Sequence, residues 1–432
     1  MQSYFSSALK YIAYRRITKD LQLISASEFR LETVDGRLMA SCKLTGPGLP
    51  KRLWFMAESD DENALDITEP NWAAVAMLYP AMVHNQDLYI EADISPLLLH
   101  NLNNDIQILL KIINPHLNQI KVIAGSSKPQ EFNKNVKRHV ITGFSGGADS
   151  TATYLKYNNP NSSSSLRLSA LSIYDVGAIG KTSPSPSFEH LQKHFDQLKR
   201  FCDERELLAF GVSSNMDQVY RSTKKKMTNR AFFPKYVSLV NIAATLIMQK
   251  RVKIYLPSGA IGYSELKIKE VDSTEQVEPI LAPLLSTEST MCQPGAAGLT
   301  RFEKIKYIFE TDPKSQLNVC VMKASKRNDD FLNCGRCWKC IHTIYDIEAI
   351  GKLTEIGTIF DLNEYKNNKD KLFNSFPPHY EHSFENMIKN VPLIEAQGGK
   401  IPKILLEYQN GLQEESDAMP KDVVKRKKWF FR

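Results

Sequence analysis

The chain has 432 residues, 42% of them hydrophobic and 24% charged, with a formal net charge of +7. That balance describes a soluble globular protein with room for two or three domains, and it excludes a disordered, fibrous or disulfide-scaffold chain. No apolar run approaches the roughly 20 residues that span a bilayer, and residues 421–432 hold six basic side chains against one acid, which leaves the body near neutral and a broad nucleic-acid-binding face unexpected.

The opening, Met1 to Arg16, lacks the basic start and long apolar core of a secretory signal and reads as a docked helix, so a cytoplasmic location is expected. Residues 1–130 read as a separate α+β module. Strands are expected over Leu21–Ser25, Phe29–Thr33, Arg37–Leu44 and Arg52–Ala57, with turns at Asp35-Gly36 and Gly46-Pro47-Gly48. Glu58, Asp60, Asp61 and Glu62 fall in one acidic loop and read as solvated surface. Trp72–Met82 is helical, with a kink or break expected at Pro80. Asp87–Ile94 is a strand, Ser95-Pro96 opens a helix to about Ile113, and Ile120–Ala124 is a further strand. Gly125 to Asn135 is a polar connector.

Residues 136–350 carry the stretch on which the chemistry turns. His139–Thr142 is a β-favouring run that leads into Ser145-Gly146-Gly147-Ala148-Asp149-Ser150-Thr151. The two glycines permit a sharp turn, and Asp149, Ser150 and Thr151 are types that start helices. Backbone N–H groups in such a turn, backed by a helix start, suit a phosphate. The stretch is neither a Walker A loop nor a G-x-G-x-x-G fingerprint. Further strands at Leu166–Tyr174, Leu207–Val212 and Lys253–Leu256 alternate with helices around Phe188–Phe201 and Tyr236–Met248. That alternation predicts an α/β, doubly wound parallel sheet with its ligand crevice at the strands' carboxyl ends. The backbone of Ser172–Tyr174 then becomes a candidate for reading adenine, Ser213–Asn215 for touching base or ribose, and Ser258–Ser264 for lining an acceptor pocket. The loop with Lys181 and the basic run Arg221–Arg230 follow two of these strands; the run faces pyrophosphate, an acidic substrate or solvent. Thr300 and Glu303 form a capping box, with Arg301 and Lys304 aimed at phosphate or at solvent.

Of seven cysteines, Cys320, Cys334, Cys337 and Cys340 are clustered, while Cys42, Cys202 and Cys292 are scattered. Two overlapping C-x2-C units and one distant cysteine supply the four thiolates of a closed zinc site, with Gly335 suiting the tight knuckle. An iron–sulfur cluster is the chemical rival, and His342 is an alternative fourth ligand. Such a metal is structural, because four thiolates leave no open position, and it clips the domain to the helix Ile341–Ile350. Residues 351–432 are expected to be helical and to end in the basic tail Lys421–Arg432, which meets solvent, nucleic acid, acidic lipid or an acidic partner.

Ser145 to Ser150 resembles the SGGxDS signature of the PP-loop (N-type) ATP pyrophosphatases. Together with the late cysteine cluster, it is similar to the 7-cyano-7-deazaguanine synthase family over roughly 138–350. Here the first cysteine stands farther from the other three, and about 135 residues precede the loop. The resemblance implies a PP-loop domain with Ser145, Gly146, Gly147, Ala148, Asp149, Ser150 and Thr151 on ATP, and a structural Zn2+ on the four cysteines. It implies an adenylating ligase that releases pyrophosphate, activating a carboxylate for attack by ammonia or an amine. Asp149 and Ser150 are the expected catalytic residues, Asp149 holding Mg2+ through hard oxygen or orienting the nucleotide. Larger proteins of similar architecture belong to defence or biosynthetic pathways. ATP-dependent sulfur transfer to a nucleobase or tRNA, with Cys202 or Cys292 reactive, is the alternative; a non-catalytic nucleotide-binding scaffold is a third. The partners left open are a small-molecule or protein acceptor and a second copy of the chain.

Overall fold

A computed structural model describes residues 23–58, 64–126, 136–177, 187–221, 223, 236–271, 273–315, 317–322, 331–376 and 382–418. The opening helix, most of the acidic loop, the connector after Ser126, the loop with Lys181, the basic run after Arg221 (Thr223 apart) and the basic tail lie outside the described residues. The chain divides into two compact units, one of residues 1–145 and 153–300, the other of residues 146–152 and 301–432.

The first unit is built on one sheet of ten strands among the described residues: β1 (Ile24–Val34), β2 (Arg37–Thr45), β3 (Arg52–Glu58), β4 (Leu88–Ile94), β5 (Val122–Ser126), β6 (His139–Gly143), β7 (Ala170–Asp175), β8 (Leu208–Ser214), β9 (Val252–Tyr255) and β10 (Met291–Cys292). Their order is β10-β9-β6-β7-β8-β3-β2-β1-β4-β5. The five strands from β10 to β8 are all parallel. The chain runs outward from β6 through β7 to β8, then returns to set β9 and β10 on the other side. The strand order therefore reverses between β6 and β9, the place where open α/β sheets hold ligands.

β3 pairs antiparallel with β8, Phe55 opposite Ser214 and Glu58 opposite Gly211. Residues 23–126, read from sequence as a module of their own, thus continue the same sheet. The pairing covers an edge of β8 that would otherwise stand open.

Local chemistry explains the elements. Asp35 and Gly36 both take positive φ, 50° and 75°, the requirement of a two-residue hairpin turn with the twist of its strands. β1 runs through the expected gap between two strands, with a register shift between Ser27 and Arg30. Pro80 does not break its helix, Asn71–His84. Proline removes the N–H that would bond to Ala76 O; the Tyr220 hydroxyl donates to that carbonyl instead, at 3.2 Å. Nearly every side chain of this helix is buried, and its polar start is satisfied: Asn71 accepts from Ser95 N–H at 2.9 Å and donates to Gln249 at 2.8 Å. The helix expected from Ser95 to Ile113 is two, Pro96–Asn103 and Asp105–Ile113, divided at Asn104 (φ −126°, ψ −101°).

The second unit is helical. Its helices are Arg301–Thr311, Trp338–Ala349, Leu362–Phe373, His382–Ile388, Val391–Ala396 and Lys403–Ala418. Trp338–Ala349 is buried on almost every side, so it serves as the core against which others of them pack. Among the described residues no helix is long and apolar enough to cross a membrane.

Candidate functional site

The site is built inside the second unit, from residues 146–152 upward. Gly146 turns at φ +73°, and its carbonyl accepts the N–H of Asn318 at 2.8 Å. A Cβ added at Gly146 would stand in van der Waals contact with Asn318, 3.4 Å from its Cβ, so Asn318 packs against the turn. The helix Ala148–Tyr157 then begins. Its first turn is locked by Ser150 Oγ donating to Gly147 O at 3.1 Å and Thr151 N–H donating to the same carbonyl at 2.9 Å. Ala148, Ser150 and Thr151 are buried; Gly146, Gly147 and Asp149 are partly exposed. Ser145 belongs to the first unit and is exposed.

Two cations converge on Asp149. Arg301 Nη1 and Lys304 Nζ each lie 3.3 Å from its carboxylate. The Lys304 side chain is 0% exposed and that of Arg301 17%, so neither is the surface residue that sequence allowed. Burial pushes the Asp149 carboxyl up, but Lys304, Arg301 and Lys339 outweigh it and hold the group below the ordinary carboxylate range. Arg301 is fixed from the other side by Trp338–Ala349: its Nη2 donates to Thr343 Oγ1 at 2.9 Å, and its Nε lies 3.9 Å from Asp346. Asp346 also accepts from Asn390 Nδ2 at 3.2 Å and has His342 Nε2 at 3.6 Å.

The four cysteines come together. Their Sγ atoms all lie within 4.8 Å of one another, Cys334 to Cys340 at 3.9 Å and Cys337 to Cys340 at 3.4 Å. A zinc–sulfur bond of about 2.3 Å in a tetrahedron requires sulfurs about 3.8 Å apart. The set therefore fits a metal ion such as zinc. Gly335 makes the knuckle: φ is +66°, and a Cβ there would stand 2.1 Å from Asp361 O. Cys337 N–H donates to Cys334 Sγ at 3.4 Å. Hydrogen bonds from the other three thiols pull Cys320 far down. Cys334, pushed up by Cys320 but pulled down by Cys337 and Cys340, falls to about 6; Cys337 and Cys340 are pushed up.

No family model, no curated protein and no solved structure matches this chain significantly. The function is therefore argued from the site itself.

In the first unit several expected ligand-readers are spent on structure. Asn215 accepts from Trp54 N–H at 3.0 Å and donates to Arg52 O at 2.9 Å, which ties β8 to β3. Ser213 donates to Ser187 O at 2.8 Å, and the Ser172 backbone carbonyl accepts from Phe144 N–H at 2.8 Å. Ser258 joins the turns after β9 and β6, 2.7 Å from Thr142 Oγ1 and 3.2 Å from Gly143 O. Arg221 pairs with Asp217. Cys42, Cys202 and Cys292 are buried, and burial pushes each thiol up to about 12.

The sequence left Lys304 open between phosphate and solvent; it shares the buried stripe of its helix with Ile305, Ile308 and Phe309, a placement that helical spacing does signal. Asn333 carries no such signal. It is fully buried, accepts from Val319 and Cys320 N–H at 2.9 and 3.1 Å, and donates to Leu317 O at 2.7 Å. It thereby sets Cys320 beside the knuckle.

Proposed function

We propose that this chain is an ATP-dependent adenylating enzyme of the PP-loop kind, which activates a carboxylate for attack by ammonia or an amine. The observation that carries the reading is the convergence of Arg301 and Lys304 on Asp149, at the start of a helix that follows the Gly146-Gly147 turn. Among the described residues, Arg301, Lys304 and Lys339 act on Asp149, and Arg301 also reaches Asp346. Clustered cations beside backbone N–H groups and a helix start favour a polyanion.

On this reading the triphosphate lies along residues 146–151. The acceptor carboxylate attacks the α-phosphorus, the bond to pyrophosphate breaks, and Arg301 and Lys304 stabilise the departing charge. The nitrogen nucleophile then adds to the acyl carbon and AMP leaves. Asp149 orients the two cations. Its engagement with both speaks against it as a ready Mg2+ ligand, and no step is derived through that ion. Ser150, its hydroxyl donated to Gly147, shapes the turn rather than reacting. Zinc on Cys320, Cys334, Cys337 and Cys340 would be structural. The deazaguanine-synthase-like acceptor rests on the motif resemblance alone.

Sulfur transfer is disfavoured by one observation: each thiol outside the four-cysteine set is buried and pushed up to about 12, so none offers a thiolate near neutral pH. The deciding experiment incubates the protein with α-labelled ATP, ammonia and a panel of carboxylates that includes a deazaguanine carboxylate. Acceptor-dependent AMP and pyrophosphate are expected. ADP as product, or no turnover with any acceptor, would sink the proposal.

A further inference from the structure

The four-cysteine set and the 146–152 turn are joined by two short routes inside the second unit. The first is backbone. Asn318, whose N–H holds Gly146 O at 2.8 Å, stands two residues before Cys320 on a segment that Asn333 fastens to the knuckle. The second runs through a helix. Cys337 caps Trp338–Ala349 and Cys340 lies in its first turn. Thr343 and Asp346, farther along, hold Arg301, which reaches Asp149. Every residue on this route is buried or half-buried.

We infer that the cysteine-bound metal sets the geometry of the phosphate turn, with Thr343 and Asn318 as positioning residues that carry the effect. The inference deepens the proposed function and rests on that reading for the ligand, a nucleoside triphosphate. The physical reason is reach. Four sulfurs drawn onto one ion fix the start of Trp338–Ala349 and the end of the 317–320 segment relative to each other. Without the ion, Asn333 and packing hold the two pieces more loosely. The Gly146 carbonyl bond and the Arg301 anchor then lose their common frame. A preorganised anion site depends on donors held to within about half an ångström, so a small slip at the cysteines becomes a large loss at the turn.

Amide hydrogen exchange of residues 146–152 tests the coupling without any ligand. Exchange there is expected to rise about tenfold or more when zinc is stripped by chelation. Equal protection in loaded and stripped protein would overturn the inference. If stripping unfolds the second unit as a whole, two variants decide. Thr343→Val removes the hydroxyl that Arg301 donates to but leaves every cysteine; Asn318→Pro removes the N–H on Gly146 O. Each is expected to keep full zinc content, to raise exchange in 146–152, and to weaken binding of a fluorescent ATP analogue by about tenfold, the scale of one charge-assisted hydrogen bond. Full zinc with unchanged exchange in both variants overturns it. Zinc-loaded wild type that binds no ATP analogue would refute the adenylation reading instead, while the exchange result still decides the coupling.

Discussion

One helix, Trp338–Ala349, faces two buried ion clusters of opposite design. Toward the turn, Thr343 and Asp346 hold Arg301, which with Lys304 brackets Asp149. Near its other end, Glu348 accepts from Lys369 Nζ and Tyr365 Oη, both at 2.7 Å, and Lys369 lies over the rings of Tyr345 and Tyr365 at 5.6 and 5.2 Å. In this second cluster Lys369 meets Glu348, Asp370 and Lys400 also act on it, and aromatic faces and a hydroxyl adjoin the pair. In the first, Lys304, Arg301 and Lys339 act on Asp149 beside the Gly146 turn. Both contain a buried lysine on a carboxylate, so burial and pairing alone do not mark a site. The neighbouring turn and helix start distinguish the first cluster, and on the proposed function they make it an anion site and the second a fastening.

The largest effect should come from breaking what the clusters share. Cys337→Ser removes a metal ligand at the cap of the helix that serves both. Bound structural zinc contributes on the order of 10 kcal/mol to small metal-dependent folds. Zinc content should therefore fall sharply in metal analysis, and thermal unfolding of the second unit should move down by more than for any other variant considered. Undiminished zinc would refute the four-cysteine assignment. Next comes Glu348→Gln, which leaves Lys369 buried beside a neutral amide. About 3 kcal/mol of stability should be lost, read by urea unfolding, with ATP-analogue affinity of the folded protein unchanged. A matching loss of affinity would dissolve the distinction between the clusters. Lys304→Met should do the reverse. Asp149 keeps Arg301, so stability should fall by only about 1–2 kcal/mol, while analogue affinity should drop about a hundredfold. Intact affinity would remove Lys304 from the proposed site.

How much of this was legible beforehand follows from the range of each signal. The turn at 145–151 and the cysteines are short-range patterns, and the structure has the expected strand, turn and helix start and the four clustered sulfurs. The alternation of strands and helices likewise predicted the parallel run from β10 to β8. Whether residues 23–126 stood apart was not legible, because nothing local records that β3 would pair with β8. Asn215 looked like a ligand-reader since its partners, Trp54 N–H and Arg52 O, lie more than 160 residues away. Pro80 looked like a helix break because the hydroxyl that takes the freed carbonyl comes from Tyr220. Polar side chains are ambiguous in sequence for this reason: the partner that satisfies them is chosen by tertiary structure.

The smallest effect gives the finest test, since it separates the clusters by pH. Asp149 and Lys369 both have lowered pKa values, for opposite reasons. For Asp149, burial raises the value but Lys304, Arg301 and Lys339 overcome it, so the charged form is favoured. For Lys369, burial lowers the value and Glu348 only partly restores it, so the charged form is disfavoured. In each case the unfolded chain binds the proton across the window between the folded and the ordinary value, so stability rises with pH through that window. The Asp149 contribution is fully present above the ordinary carboxylate pKa and is lost as pH falls through the depressed value. The Lys369 penalty is fully present below its lowered value and disappears as pH climbs toward the ordinary lysine value of 10.5. Urea-unfolding midpoints across pH should then show an acid slope that Asp149→Asn removes and a shallow alkaline slope that Lys369→Met removes. An alkaline slope that survives in Lys369→Met would mean that the Lys369 cluster is not strained by burial, and pH would not separate the two clusters.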